Sequence, residues 1–252
     1  MTKYLEILDD QLELIKRSRR IVVSRIQEAI ARRGICTIAL AGGSTPKPLY
    51  EKLAQENLPW EQIHIFWGDE RYVPADHPDS NQRMARQAWL DQVPMPPNNI
   101  HPMPTDAADP YLDAATYDAT LRAFFGDQTW PAFDIILLGM GDDGHTASLF
   151  PQTAALAVSD RLITVGEKQG EPRLTFTVPL INAAHHIIFL VAGHNKQEAL
   201  QQIFHSEADG FAYPSKLIEP DHGILWWLLD AAAGDRLTPH DTIYQTNPHP
   251  AL

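Results

Sequence analysis

Apolar residues recur along the chain in two rhythms, and the alternation between them sets the expected architecture. From residue 3 to residue 33 they fall at helical spacing (Leu5, Leu8, Leu12, Ile15, Val22, Ile26, Ile30), which predicts one long helix or two, ended near Gly34. The run ICTIAL (35–40) is short, continuous and partly β-branched, as suits a strand buried on both faces. AGGST turns the chain, and Pro46 fits the first turn of a helix over PKPLYEKLAQ. IHIFW (63–67) is a second strand, and helical character resumes from about Ser80. VPMPPNNIHPMP (93–104) reads as a proline-rich loop, and 111–125 as a helix. DIILLG, RLITV, RLTFTV and HIIFLVAG are further strands, with a helix starting near Asn195, while ILWWLLDAAA fits a buried strand or a helix equally well.

Strands alternating with helices predict an α/β fold: an open, mostly parallel sheet with helices on both faces, formed by residues 1–252 as a single domain. Such sheets bind ligands in the crevice beyond the carboxyl ends of their strands. Four polar clusters fall there: AGGST (41–45), GDER (68–71), GMGDDGH (139–145) and AGHNK (192–196).

Composition narrows what those clusters can serve. Thirty-two acids against 20 bases give a formal net charge of −12. That balance argues against nucleic acid or an anionic membrane as a partner, but not against a small anion, which responds to local charge. The single cysteine, Cys36, excludes an internal disulfide and reads as a buried, inert thiol. No stretch approaches the roughly 20 apolar residues that span a bilayer, so the expectation is a cytoplasmic protein.

In the first cluster, Gly42 and Gly43 allow close backbone approach, and free N–H groups at a helix start favour an anion. Ser44 and Thr45 can donate hydroxyls; the plainer reading makes one of them a helix cap. The pattern is neither a Walker A loop nor a dinucleotide fingerprint. In the second cluster, Arg71 can clamp a phosphate or pair internally with Asp69, and Asn81 and Arg83 follow downstream. In the third, glycines surround Asp142, Asp143 and His145. A neutral histidine can take a proton from water, and Asp143 or Asp69 can hold the ring. A structural role for His145 remains the alternative. Metal binding has little support, because the histidines lack ligand spacing, and His185 and His186 read as ordinary loop residues. Ser148 has no placeable partner as a nucleophile, and Trp226 and Trp227 read as core. Lys196 offers a mobile positive charge in the fourth cluster.

These segments also carry a family likeness. LAGGSTPKPLYEKL, FWGDERYVPADHPDSNQRMAR, DIILLGMGDDGHTASLFP, FTVPLINAAHHIIFLVAGHNKQEAL and YPSKLI resemble the 6-phosphogluconolactonases, relatives of the glucosamine-6-phosphate isomerases, from about residue 35 onward. The resemblance implies a modified Rossmann-like sheet and hydrolysis of 6-phospho-D-glucono-1,5-lactone to 6-phospho-D-gluconate, in the oxidative pentose phosphate pathway, without metal or organic cofactor. It implies a phosphate site of Gly42, Gly43, Ser44 and Thr45 faced by Arg71 and Lys196. It implies His145 as general base with Asp69 and Asp143 nearby, and Asn81, Arg83 and Arg173 as further substrate contacts. The isomerase (deaminase) branch carries a glutamate where Phe150 stands here, which favours the lactonase. Asp142 and Trp67 are small departures from the lactonase pattern. The expected partner is a small phosphorylated sugar lactone, and the expected state a monomer or weak dimer.

Overall fold

The computed structural model describes residues 2–237 apart from Asp127, Ser206 and Ala208. Among the described residues, nine strands form two sheets: β1 (Thr2–Leu8), β2 (Cys36–Leu40), β3 (Ile63–Trp67), β4 (Asp69–Arg71), β5 (Ile135–Leu138), β6 (Ile163–Lys168), β7 (Glu171–Phe176), β8 (His186–Val191) and β9 (Ile224–Asp230). Six of them make one wholly parallel sheet in the order β1-β9-β8-β5-β2-β3. The helices are α1 (Gln11–Arg33), α2 (Lys47–Leu53), α3 (Asn81–Ala88), α4 (Pro110–Phe125), α5 (Val178–Asn182), α6 (Gln197–Phe204) and α7 (Ala231–Gly234), and they sandwich this sheet.

The buried strands follow from their composition. Cys36–Leu40, Ile135–Leu138 and all of β8 after its first residue are buried, because a parallel sheet covered on both faces has no solvent side. Burial pushes the Cys36 thiol up, so it stays protonated and inert. ILWWLLD resolves as a strand, with Trp227 stacked on Phe189 at 3.9 Å.

Two expectations are corrected. Residues 2–8 do not begin the first helix. They form the edge strand β1, paired in parallel with β9 from Thr2↔Ile224 to Leu8↔Asp230. Leu5 and Leu8 fit a helical period as well as a short strand; the distant partner decides between them. The helix begins only where the Asp10 side chain accepts from the Glu13 N–H at 2.8 Å, and it ends at Gly34 in the left-handed region (φ 81°).

The second correction concerns RLITV and RLTFTV. Their strands, β6 and β7, lie outside the parallel sheet and pair antiparallel with each other and with β4 in a separate three-stranded sheet. Gly68 joins the two sheets: its N–H donates to Leu40 O at 3.0 Å, and its carbonyl accepts from Phe176 N at 2.8 Å. The chain thus steps from β3 directly into β4, which brings Asp69 and Arg71 to the mouth of the parallel sheet.

Connections leave β2 and β5 toward opposite edges of the sheet, β2 leading to β3 and β5 to β8. The carboxyl ends of these two neighbours make the topological switch point, where a ligand crevice is expected.

Candidate active site

A cavity of about 210 Å³ opens at that switch point. It is lined by the loop 41–46 after β2, by Gly68, Asp69 and Arg71 around β4, by Asn81, by the 139–147 loop after β5, and by Arg173 and Lys196. All four polar clusters contribute to it.

The loop after β2 is fixed at its root by Tyr50, whose hydroxyl donates to Ala41 O at 2.7 Å and accepts from Ala41 N at 3.0 Å. Beyond that root, the backbone N–H groups of Gly42, Gly43, Ser44 and Thr45 donate to no other group among the described residues. Neither Ser44 nor Thr45 caps α2; Pro46 takes that position without a side-chain bond. Gly42 is required by proximity, since a Cβ there would lie 1.8 Å from Asn81 Oδ1.

Two arginines face this loop. Arg71 and Arg173 sit directly opposite each other in the β4–β7 register. Like charges so placed repel, and neither arginine forms a salt bridge among the described residues. Arg71 Nη1 donates to Asp79 O at 2.6 Å, and the Nε atoms of both side chains are buried without a partner. Burial, followed by the charge of Arg71, lowers the Arg173 pKa. Lys196, at the start of α6, completes a cationic rim. Its loop is held by Asp230 at the end of β9, which accepts from the Gly193 N–H at 3.0 Å and from Ala233 N at 2.8 Å.

On the opposite side of the cavity, His145 Nδ1 lies 2.5 Å from Asp143 Oδ1, and the same oxygen accepts the His145 backbone N–H at 3.0 Å. A carboxylate on Nδ1 fixes the ring and its tautomer and leaves Nε2 as the free nitrogen. Gly141 makes the turn possible: its N–H donates to His145 O at 2.8 Å, and a Cβ at this position would lie 2.1 Å from His145 Nδ1. Burial alone would raise the Asp143 carboxyl, but the His145 hydrogen bonds and the charges of His145 and Lys168 outweigh it and bring it to about 2. The Phe150 ring packs 4.6 Å from the His145 ring, centroid to centroid.

Asp69 does not orient the histidine ring. It is 7 % exposed, and its Oδ2 accepts from Ser148 Oγ at 2.7 Å while Asn81 Nδ2 donates to its carbonyl at 2.9 Å. The neighbouring Glu70 builds the scaffold: its carboxylate accepts the backbone N–H groups of Asn81 and Gln82, each at 2.7 Å, and of Arg71 at 2.8 Å. Burial pushes the Glu70 carboxyl up against the pull of these bonds.

Of the residues expected from the sequence, the cavity brings together Gly42, Gly43, Ser44, Thr45, Asp69, Arg71, Asn81, His145, Arg173 and Lys196. Asp143 stands behind His145. Arg83 does not line the cavity; its Nη1 donates to Asp76 O at 2.7 Å. Sequence reasoning missed the supporting parts played by Ser148 and Phe150. Ser148 meets its partner 79 residues away along the chain, a distance no local pattern spans.

The arrangement is a small polar cavity with a cationic rim, a row of free N–H groups and a carboxylate-held imidazole. Its chemistry is that of an anion seat beside a proton acceptor. The sequence model for glucosamine-6-phosphate isomerases/6-phosphogluconolactonase matches residues 9–227. The 6-phosphogluconolactonase of Synechocystis sp. is 62 % identical over 241 residues, covering 95 % of this chain and 100 % of that one. The 6-phosphogluconolactonase of Nostoc sp. is 58 % identical over 240 residues, covering 94 % and 100 %. Among solved structures, the 6-phosphogluconolactonase of Trypanosoma brucei superposes with a TM-score of 0.82 at 30 % identity, over 94 % of this chain and 99 % of that one. The chain belongs to the glucosamine-6-phosphate isomerase/6-phosphogluconolactonase family and is an enzyme of its lactone-hydrolysing branch.

Proposed function

We propose that the protein hydrolyses 6-phospho-D-glucono-1,5-lactone to 6-phospho-D-gluconate, as the lactone-consuming step of the oxidative pentose phosphate pathway, with His145 as general base. The observation that carries this reading is the 2.5 Å contact between His145 Nδ1 and an Asp143 carboxylate that stays ionised at neutral pH. It leaves the imidazole with one free nitrogen at a cavity whose other wall is cationic.

The substrate phosphate docks on the free N–H groups of residues 42–45, Arg71, Arg173 and Lys196. The unpartnered Nε atoms and the face-to-face arginines support this, because a dianion between them removes their repulsion. Binding at that end fixes the lactone ring at the other. Asp69 and Asn81, held by Ser148 and by each other, accept hydroxyls of the sugar.

His145 Nε2 takes a proton from water as the water oxygen attacks C1. The carbonyl electron pair moves onto oxygen, and the tetrahedral intermediate collapses by breaking the bond from C1 to the ring oxygen. That oxygen takes the proton from His145, leaving an open-chain acid and a neutral histidine. Asp143 stabilises the imidazolium formed between the two transfers. No covalent enzyme intermediate is needed.

The test is hydrolysis of freshly generated phosphorylated lactone against its spontaneous background. Wild type and His145→Ala run beside unphosphorylated gluconolactone and glucosamine 6-phosphate, with a chelator in one set. Fast, chelator-resistant turnover of the phosphorylated lactone, lost in the variant, is expected. Turnover of the amino sugar alone, or no acceleration over background, refutes the reading.

A further inference from the structure

The other end of the parallel sheet carries a second cavity, of about 320 Å³. It lies where the strands begin. His186 opens β8, with His185 just before it; Asp134 precedes β5; His222 precedes β9 by two residues; and Arg25, Arg32 and Arg33 come from the last turns of α1. A strand running from Asp134 to Gly139 covers about 17 Å at roughly 3.3 Å per residue, so no single small ligand reaches both cavities.

The charges in this cavity do not balance. Glu28 serves two arginines, Arg25 at 2.6 Å and Arg32 at 2.7 Å. Arg33 pairs with Asp134, but that carboxylate also accepts the Thr37 N–H at 2.8 Å and the Thr37 hydroxyl at 3.0 Å. Three guanidinium groups thus share two carboxylates, which leaves a positive surplus on a chain whose formal charge is −12.

Arginines in the last turn of a helix are ordinary partners for its C-terminal carbonyls. Three imidazoles gathered beside them in a cavity are not explained by that. Burial and then the nearby arginines, Arg25 first for His186 and Arg33 first for His185, push both histidines down, His186 to about 3. His185 and His186 therefore sit unprotonated in a positive field, and His186 Nδ1 is buried without a partner. A dianion would neutralise the surplus and let a histidine take up a proton.

We propose that this cavity binds a phosphate dianion, free or as a small monoester, through Arg25, Arg32, Arg33 and the three histidines, separately from the catalytic cavity. The test follows the assigned histidine side-chain NMR signals while inorganic phosphate, glycerol 3-phosphate or sodium chloride of matched ionic strength is added. The signals of His185, His186 and His222 are expected to move saturably with phosphate and not with chloride. The same movement is expected in an Arg71→Ala, Arg173→Ala protein, in which the catalytic cavity is disabled. Saturation by phosphate alone assigns the free ion; saturation by both assigns the monoester class. The Arg32→Glu, His222→Glu protein should bind at least tenfold more weakly at this end, with lactone hydrolysis within twofold of wild type. Equal movement with chloride, or no movement at phosphate concentrations that shift His145, overturns the proposal, and the wild-type titration decides this even if a variant fails to fold.

Discussion

The two ends of the six-stranded sheet hold similar side chains in opposite states of neutralisation. Where the strands end, Arg71 and Arg173 face each other without a salt bridge among the described residues, and backbone N–H groups stand free beside them. Where the strands begin, every arginine of the cavity is paired to a carboxylate, with a surplus of about one charge. The first end keeps cations unpaired, at a cost in repulsion and desolvation that the proposed substrate phosphate would relieve. The second engages two arginines within α1, on Glu28, and a third, Arg33, on Asp134 at the start of β5. What separates the two ends is the supply of nearby carboxylates, not the number of arginines: it leaves the first end's arginines unpaired and the second with a surplus of about one charge.

The comparison breaks most visibly at His145. Its replacement by alanine should lower kcat by about a thousandfold, the usual scale for losing a positioned general base, with the Tm little changed; steady-state rates and a thermal melt check this. Replacing Arg71 or Arg173 by alanine should raise KM for the phosphorylated lactone by roughly tenfold to a hundredfold, as expected for one charge-assisted contact of about 1.5–3 kcal/mol. Rates on unphosphorylated gluconolactone should stay near wild type, and a parallel loss on both substrates would contradict a phosphate seat.

Asp143→Asn should lower kcat by about tenfold, within the range for a group that supports a general base. The Asp143 carboxylate is ionised at every pH above about 2, so its hold on the His145 ring is present throughout the working range and is lost only as pH falls through that value. The loss on removing it should therefore be of similar size across the neutral range, which a pH series on both proteins measures. At the other end of the sheet, Asp134→Asn should leave kcat unchanged. It should cost about 1–3 kcal/mol of stability by weakening buried hydrogen bonds to charge, read from urea unfolding. A loss of activity without a loss of stability would erase the distinction between the two ends.

How much of this is legible in the sequence depends on how local its cause is. The strands β2, β3, β5 and β8 are apolar runs ended by glycine and polar residues, and they stand out without any partner in view. Strand β4 does not: Asp69, Glu70 and Arg71 have no strand signature, and only Thr175, Leu174 and Arg173 opposite make them one. The candidate catalytic loop is visible because glycines and acids crowd around one histidine. Which acid holds that histidine is not, since Asp69 and Asp143 are both plausible until Ser148 is seen to occupy the first. Arg83 shows the opposite limit: it follows Asn81 by two positions in a recognisable segment, yet a helix turns those two side chains to different faces.

The pairing of β1 with β9 bears on how the chain reaches this state. Residues 2–8 meet residues 224–230 across more than two hundred intervening positions, so β1 has no hydrogen-bonding neighbour among the described strands until β9 is made. Such distant pairing is slow to form. A nascent chain halted before Ile224 lacks the strand that covers one side of Tyr4 and Leu5, and it exposes the unfinished edge of β8 as well. While residues 224–230 are missing, these two unpaired edges are the parts of the sheet open to wrong pairing.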